Sequence, residues 1–261
     1  MTANGPRALK VLLLGGTSEA TFLAERLAGI SGIAARLSLA GRTASPRASA
    51  LPIRIGGFGG AEGLADYLVR EGIDVVIDAT HPFAAQISNN AINACSSANI
   101  RLVAVERPPW SRAGGDDWIE HDSIEGAIAA LPEEPLTIFS ALGRQSIQAL
   151  TAAPQHTYVI RVVDPVEAPT GLASARIIAS RGPFRTDDDI ALFEEHGVDR
   201  VLAKNSGGSA AYAKIEAARR LGLKVHMVRR PKIKERPLVS SVDEALAWIG
   251  THHARSSDRG V

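Results

Sequence analysis

The 261-residue sequence holds one cysteine, Cys95. No internal disulfide can form, and one thiol cannot build a cysteine-rich zinc site or an iron–sulfur cluster. An excess of one charge is also lacking: 29 Lys and Arg stand against 28 Asp and Glu, a net of +1. Nucleic-acid binding normally shows as a basic excess or stripe, so no nucleic-acid partner is expected. Long apolar runs are missing too. The longest early one, residues 11–14, falls far short of the roughly 20 residues of a membrane span. Residues 1–10 are polar and carry no secretory apolar stretch. The expectation is a cytoplasmic protein with no membrane partner. The strings Gly-x-Ser-x-Gly and His-Glu-x-x-His do not occur, so neither a serine-nucleophile elbow nor a metal site is expected.

What is present is a rhythm. Residues 10–14 read as a buried strand, 18–29 as a helix stopped at Gly29, and 34–40 as a second strand. A helix over 61–71, a strand over 73–78, a helix over 83–98 and a strand over 101–105 continue the pattern. Such alternation predicts parallel βαβ units with right-handed crossovers and helices on both faces. Residues 108–115, with two prolines and two glycines, break it as a linker. A second series follows, with strands over 136–140, 157–163, 175–180, 200–203 and 223–228. Helices are expected after residues 141–145, from Thr186 with three aspartates in its first turn, from a Ser209 cap, and from a Ser240 cap to about residue 249. The expected fold is α/β: two Rossmann-like parallel-sheet domains, residues 1–112 and 113–250, with a cleft between them. Residues 251–261 read as a disordered tail in which His252 and His253 are bland.

Three constellations lie in the first half. Gly15-Gly16-Thr17-Ser18-Glu19-Ala20 joins a strand to a helix. Glycines let backbone approach an anion, the helix N-terminus offers N–H groups, and Thr17 and Ser18 carry hydroxyls. The strict Gly-x-Gly-x-x-Gly spacing is absent, so a plain capped turn competes with a phosphate site. At the end of the second strand, where an NAD site places an acid, stand Gly41, Arg42 and Thr43, with Arg47 nearby. They read either as a 2′-phosphate site or as a solvated basic loop. The third constellation, Asp78-Ala79-Thr80-His81-Pro82-Phe83-Ala84, sits at the carboxyl end of a strand, the edge where open α/β sheets bind ligands. His81 there reads as a group that orients a nicotinamide or passes a proton, or else as a solvated histidine beside capping Asp78 and Thr80.

In the second half, Gly143-Arg144-Gln145, Arg181-Gly182-Pro183-Phe184-Arg185 and Lys204-Asn205-Ser206-Gly207-Gly208 each follow an expected strand. Their loops should converge at one sheet edge, gathering Arg144, Arg181, Arg185 and Lys204 into a pocket for an anionic ligand. The competing reading is ordinary surface ion pairs.

Taken with Glu106-Arg107-Pro108-Pro109-Trp110, these strings make the chain resemble the precorrin-6A reductase family of cobalamin biosynthesis, cobalt-precorrin-6A reductases included. The resemblance covers about residues 10–249, and its most specific part is residues 78–84. It implies NADPH-dependent reduction of one double bond in a corrin-precursor macrocycle. The polycarboxylate tetrapyrrole would suit the basic second-half loops. It implies that Gly15, Gly16, Thr17 and Ser18 meet the pyrophosphate, Gly41, Arg42 and Thr43 the 2′-phosphate, and Thr80, His81, Pro82 and Phe83 the nicotinamide. It sets Lys204, Asn205, Ser206 and Gly207 toward the macrocycle or cofactor. His81 and Lys204 are the candidate proton donors, with solvent as a third. A short-chain dehydrogenase would carry Tyr-x-x-x-Lys, which Tyr67, Tyr158 and Tyr212 do not supply. A non-catalytic NADP sensor would keep the glycine loop without needing the basic pocket.

Overall fold

Alternation of inward residues along each strand builds both layers of the fold. The computed structural model describes residues 7–41, 48–172 and 174–257. The chain opens with β1 (Leu9–Leu14), α1 (Ser18–Ala28), β2 (Ile33–Leu39), β3 (Ile53–Ile55), α2 (Gly60–Glu71), β4 (Val75–Asp78), α3 (Ala85–Ser97) and β5 (Arg101–Val105). On β1, Leu9, Val11 and Leu13 pack toward α1, while Leu12 and Leu14 pack toward α2 and α3. A strand buried on both faces reads as a continuous apolar run, and Val11–Leu14 does.

The chain then forms β6 (Trp118–His121), α4 (Ile124–Ala129), β7 (Thr137–Ala141), β8 (Thr157–Val162), β9 (Ser174–Ala179), α5 (Thr186–Glu195), β10 (Arg200–Lys204), α6 (Ala213–Arg220) and β11 (Lys224–Val228). It ends in β12 (Leu238–Val239) and α7 (Val242–Ser257). Where a helix was expected after β7, two 3-10 turns stand at Arg144–Ser146 and Gln148–Ala152. Phe139, Val159, Val201 and Met227 form the core against α5 and α6.

Two six-stranded sheets result, with orders β12-β5-β4-β1-β2-β3 and β6-β11-β10-β7-β8-β9. Every recorded pairing is parallel. Both have the Rossmann arrangement, two diverging halves that meet at β1 and β4 in one sheet and at β7 and β10 in the other. The edge strands differ in origin. The first sheet takes its edge, β12, from the end of the chain; the second takes its edge, β6, from a strand ahead of its own first βα unit.

This routing corrects the domain boundaries. One compact unit is Met1–Arg107 with Lys232–Val261, and the other is Pro108–Pro231. Residues 232–250 belong to the first unit: β12 pairs with β5, and Ala245 and Ile249 enter the core beside Leu23 and Val103. The last helix runs to Ser257, beyond the expected stop near 249. Its cap is Ser241, whose Oγ accepts from Glu244 N at 3.2 Å. The Glu244 carboxylate reaches back to Ser240 N and Oγ, a shifted capping box. Ser209 does not cap α6; its carbonyl accepts from Tyr212 N, one turn ahead of the helix. Among the described residues no helix is long and apolar enough to cross a membrane.

Candidate functional site

Connections leave β1 and β4 in opposite directions, so the loops following these two strands flank a crevice at the carboxyl edge of the first sheet. A Cβ added to Gly15 would lie 2.5 Å from Leu37 Cδ1 and 3.2 Å from Leu39 Cδ2, so a side chain here would have to displace these leucines of β2. Gly16 takes φ +136° with open space around it. Thr17 caps α1, accepting from Ala20 N at 3.2 Å and donating to Ala79 O at 2.8 Å, which ties the two crevice loops together. Ser18 Oγ donates to Glu19 Oε2 at 3.2 Å. The two hydroxyls expected to meet a phosphate are thus engaged within the protein. Thr17 Oγ1 and O take the N–H groups of Ala20 and Thr21. The N–H groups of Ser18 and Glu19, ahead of the first intrahelical bonds, are the donors suited to an anion.

Across the crevice, Asp78 is 3% exposed. Its Oδ1 accepts from Thr80 N at 3.1 Å and Thr80 Oγ1 at 2.7 Å, while Oδ2 has no partner among the described residues. Thr80 Oγ1 also lies 3.4 Å from Ser88 Oγ. Asp78 therefore shapes the turn and does not cap α3, which begins only at Ala85. His81 Nδ1 accepts from Phe83 N at 3.2 Å, which places the proton of the neutral ring on Nε2. Cys95 lies behind this loop; burial and then Asp78 push its thiol up to about 12, so it is no nucleophile.

Two ion pairs at the exit of β5 had no signal in the sequence. Arg107 Nη1 meets Glu19 Oε2 at 2.6 Å, with the side chains only 16% and 22% exposed. Arg236 meets Glu106 at 2.6 Å. At the end of β2, Gly41 turns with φ +74° against Ile55. Arg42 and Thr43, with Arg47, lie outside the described residues. Beyond them Arg54 lies 3.8 Å over the Phe58 ring and donates to Gly56 O and Gly57 O, shaping the glycine loop ahead of α2.

The second sheet has its own crevice, at β7 and β10. Lys204 Nζ spans it, donating to Leu142 O at 2.6 Å and Ser146 Oγ at 3.2 Å. Phe184 N donates to Ala210 O at 3.3 Å, which joins the loops after β9 and β10. The three basic loops leave the same carboxyl edge of this sheet, after β7, β9 and β10. Arg144 and Arg185 are exposed, and Arg181 reaches Asp164 at 3.4 Å. Below them Arg161 is buried in a bidentate pair with Asp189, and Phe184 stacks 4.0 Å from its guanidinium.

Asn205 and Ser206 serve the framework of this edge. Asn205 Oδ1 accepts from Trp110 N at 2.7 Å, and its Nδ2 donates to Trp110 O at 2.9 Å. The Trp110 indole donates to Gly208 O at 2.7 Å. Arg230 donates to the carbonyls of Asn205 and Ser206. A Cβ on Gly207 would collide with Pro108 O, and φ there is +68°. Among the described residues no group of three or more His, Cys, Asp or Glu could hold a metal.

The family model described as precorrin-6x reductase CbiJ/CobK matches residues 10–250. The precorrin-6A reductase of Rhodobacter capsulatus is 47% identical over 252 residues, 97% of this chain and 99% of that protein. The precorrin-6A reductase of a Sinorhizobium species is 49% identical over 240 residues, 92% of each. The solved structure titled CobK precorrin-6A reductase superposes with a TM-score of 0.88 at 46% identity, covering 94% of this chain and 97% of that one.

Proposed function

The chain belongs to the precorrin-6x reductase family, and on that premise we propose that it reduces one double bond of precorrin-6A to give precorrin-6B, using NADPH. What carries this reading is the first-sheet crevice, where close-packed Gly15, open Gly16 and the N–H groups of Ser18 and Glu19 suit the pyrophosphate of a dinucleotide. Bound NADPH supplies a hydride. The chain's own residues do the rest. The main chain of Gly15, Gly16, Thr17 and Ser18 holds the pyrophosphate, and Gly41, Arg42 and Thr43 hold the 2′-phosphate. Thr80, His81, Pro82 and Phe83 flank the nicotinamide, on a turn fixed by Asp78.

Arg144, Arg181, Arg185 and Lys204 take the macrocycle's carboxylates, and Asn205, Ser206 and Gly207 fix the loop that carries Lys204. Reduction also needs a proton. Lys204 Nζ, and His81 once its ring is doubly protonated, are the groups of this chain that would deliver it. In this reading the protein works in the cytoplasm, with the tetrapyrrole as its partner.

The test pairs binding with turnover. NADPH should bind more tightly than NADH, and Arg42→Ala should weaken NADPH binding while leaving NADH binding nearly unchanged. With precorrin-6A and NADPH, the macrocycle spectrum should change as it gains one hydride and one proton. Folded, cofactor-bound protein that left the spectrum unchanged would instead be an NADP sensor.

A further inference from the structure

Glu19 stands in the first turn of α1, beside the N–H groups proposed above to meet the pyrophosphate. A carboxylate there stabilises the helix by itself, because the helix N-terminus favours negative charge. Toward an incoming phosphate the same carboxylate is repulsive, and it also holds the Ser18 hydroxyl. A dinucleotide site should therefore exclude an acid at this position unless something neutralises it.

Arg107 does so. It comes from the exit of β5, 88 residues away along the chain, and its guanidinium lies 2.6 Å from Glu19 Oε2. Both side chains are largely shielded from water, so the pair is screened little by solvent. Its backbone is anchored by its neighbour Glu106, whose carboxylate is held by Arg236 and whose N–H donates to Val239 O on β12. Arg107 thus arrives at the phosphate loop on a fixed mount.

We infer that Arg107 is a positioning residue for the cofactor: it neutralises Glu19, so that a dinucleotide pyrophosphate can settle on the first turn of α1. The inference rests on the cofactor reading above. It assigns Arg107 no contact with the phosphate; its effect on binding runs through Glu19.

That distinction gives a double-mutant test, read as the NADPH dissociation constant with thermal melts to confirm folding. Arg107→Ala should weaken binding about tenfold, since it bares a carboxylate near two phosphate charges. Glu19→Gln alone should bind NADPH at least as tightly as the wild type. Arg107→Ala combined with Glu19→Gln should return to within about threefold of the wild type, because the repulsion is gone. Arg107→Lys should keep most of the affinity.

A double variant as weak as Arg107→Ala would overturn the inference, because Arg107 would then be contacting the cofactor itself. Weakened binding by Glu19→Gln, or unchanged binding by Arg107→Ala, would overturn it as well. Should Arg107→Ala not fold, Glu19→Gln and the double variant decide the matter alone. A wild-type protein that failed to bind NADPH would instead bring down the cofactor reading, and this inference with it.

Discussion

Single side chains in this protein carry consequences at long range in sequence, and the histidine pair shows it in a measurable form. His121 on β6 and His226 on β11 stack with an interplanar angle of 3°, and His121 Nε2 lies 3.2 Å from His226 Nδ1. Burial first, then His121, Arg200 and Lys224, push the His226 imidazole down to about 4, while Asp117 opposes them weakly. Burial and Arg229 likewise lower His121. The unfolded chain then takes protons at a higher pH than the folded one. Stability from His226 is complete above about pH 6.5 and is lost as pH falls toward 4, by about 3 kcal/mol at most. Urea titrations at stepped pH should show that decline, and His226→Gln should flatten it. The same long reach explains which residues a sequence could reveal. Gly15, Thr80 and Lys204 announce themselves by following strands. Arg107 with Glu19, and Asn205 with Trp110, are partners across 88 and 95 positions, and no local pattern joins them.

Elements were legible where they are long and periodic, and obscure where they are short and at edges. The central strands β1, β5, β8 and β10 fall within a residue or two of expectation because burial on both faces leaves mostly apolar runs. β3, β6 and β12 have three, four and two residues, too few for any period to show. Packing at the element scale makes its own prediction. The buried Arg161–Asp189 pair fastens α5 to β8, with Phe139 and Phe184 against the guanidinium. Arg161→Met should cost about 3–5 kcal/mol, since Asp189 keeps a buried, unpaired charge. Replacing both residues with apolar side chains of similar size should cost less. Denaturant unfolding of the single and double variants separates the two, and a single variant within about 1 kcal/mol of wild type would contradict the account.

At the scale of the whole molecule, two Rossmann sheets were foreseeable from the alternation of strands and helices, but their true membership was not. The linker at residues 108–115 carries a Pro and Gly signal. The return at Pro231 sits inside a basic stretch with no glycine to mark it. Four of its charges are held by the fold: Arg229 by Glu120 and Asp122, Arg230 by the loop after β10, Lys234 by Asn93, and Arg236 by Glu106. A chain cut after Pro231 should therefore keep the fold of residues 108–231 and lose that of residues 1–107. Leu23, Leu27 and Val103 would lose Ala245 and Ile249 from their core, and β5 would lose its neighbour. Proteolysis should digest the first segment and spare the second, and NADPH binding should vanish.

The placement of β12 also sets an order of events during synthesis. Translation completes the first unit's first five strands early, yet that sheet must wait with β5 as an open edge while residues 108–231 are made. The inserted unit has every strand it needs once β11 leaves the ribosome, so the part of the protein begun second is able to finish first. An exposed parallel edge is a template for pairing with other chains. For this protein the vulnerable interval is the one spent translating its middle, and slow codons there would lengthen it.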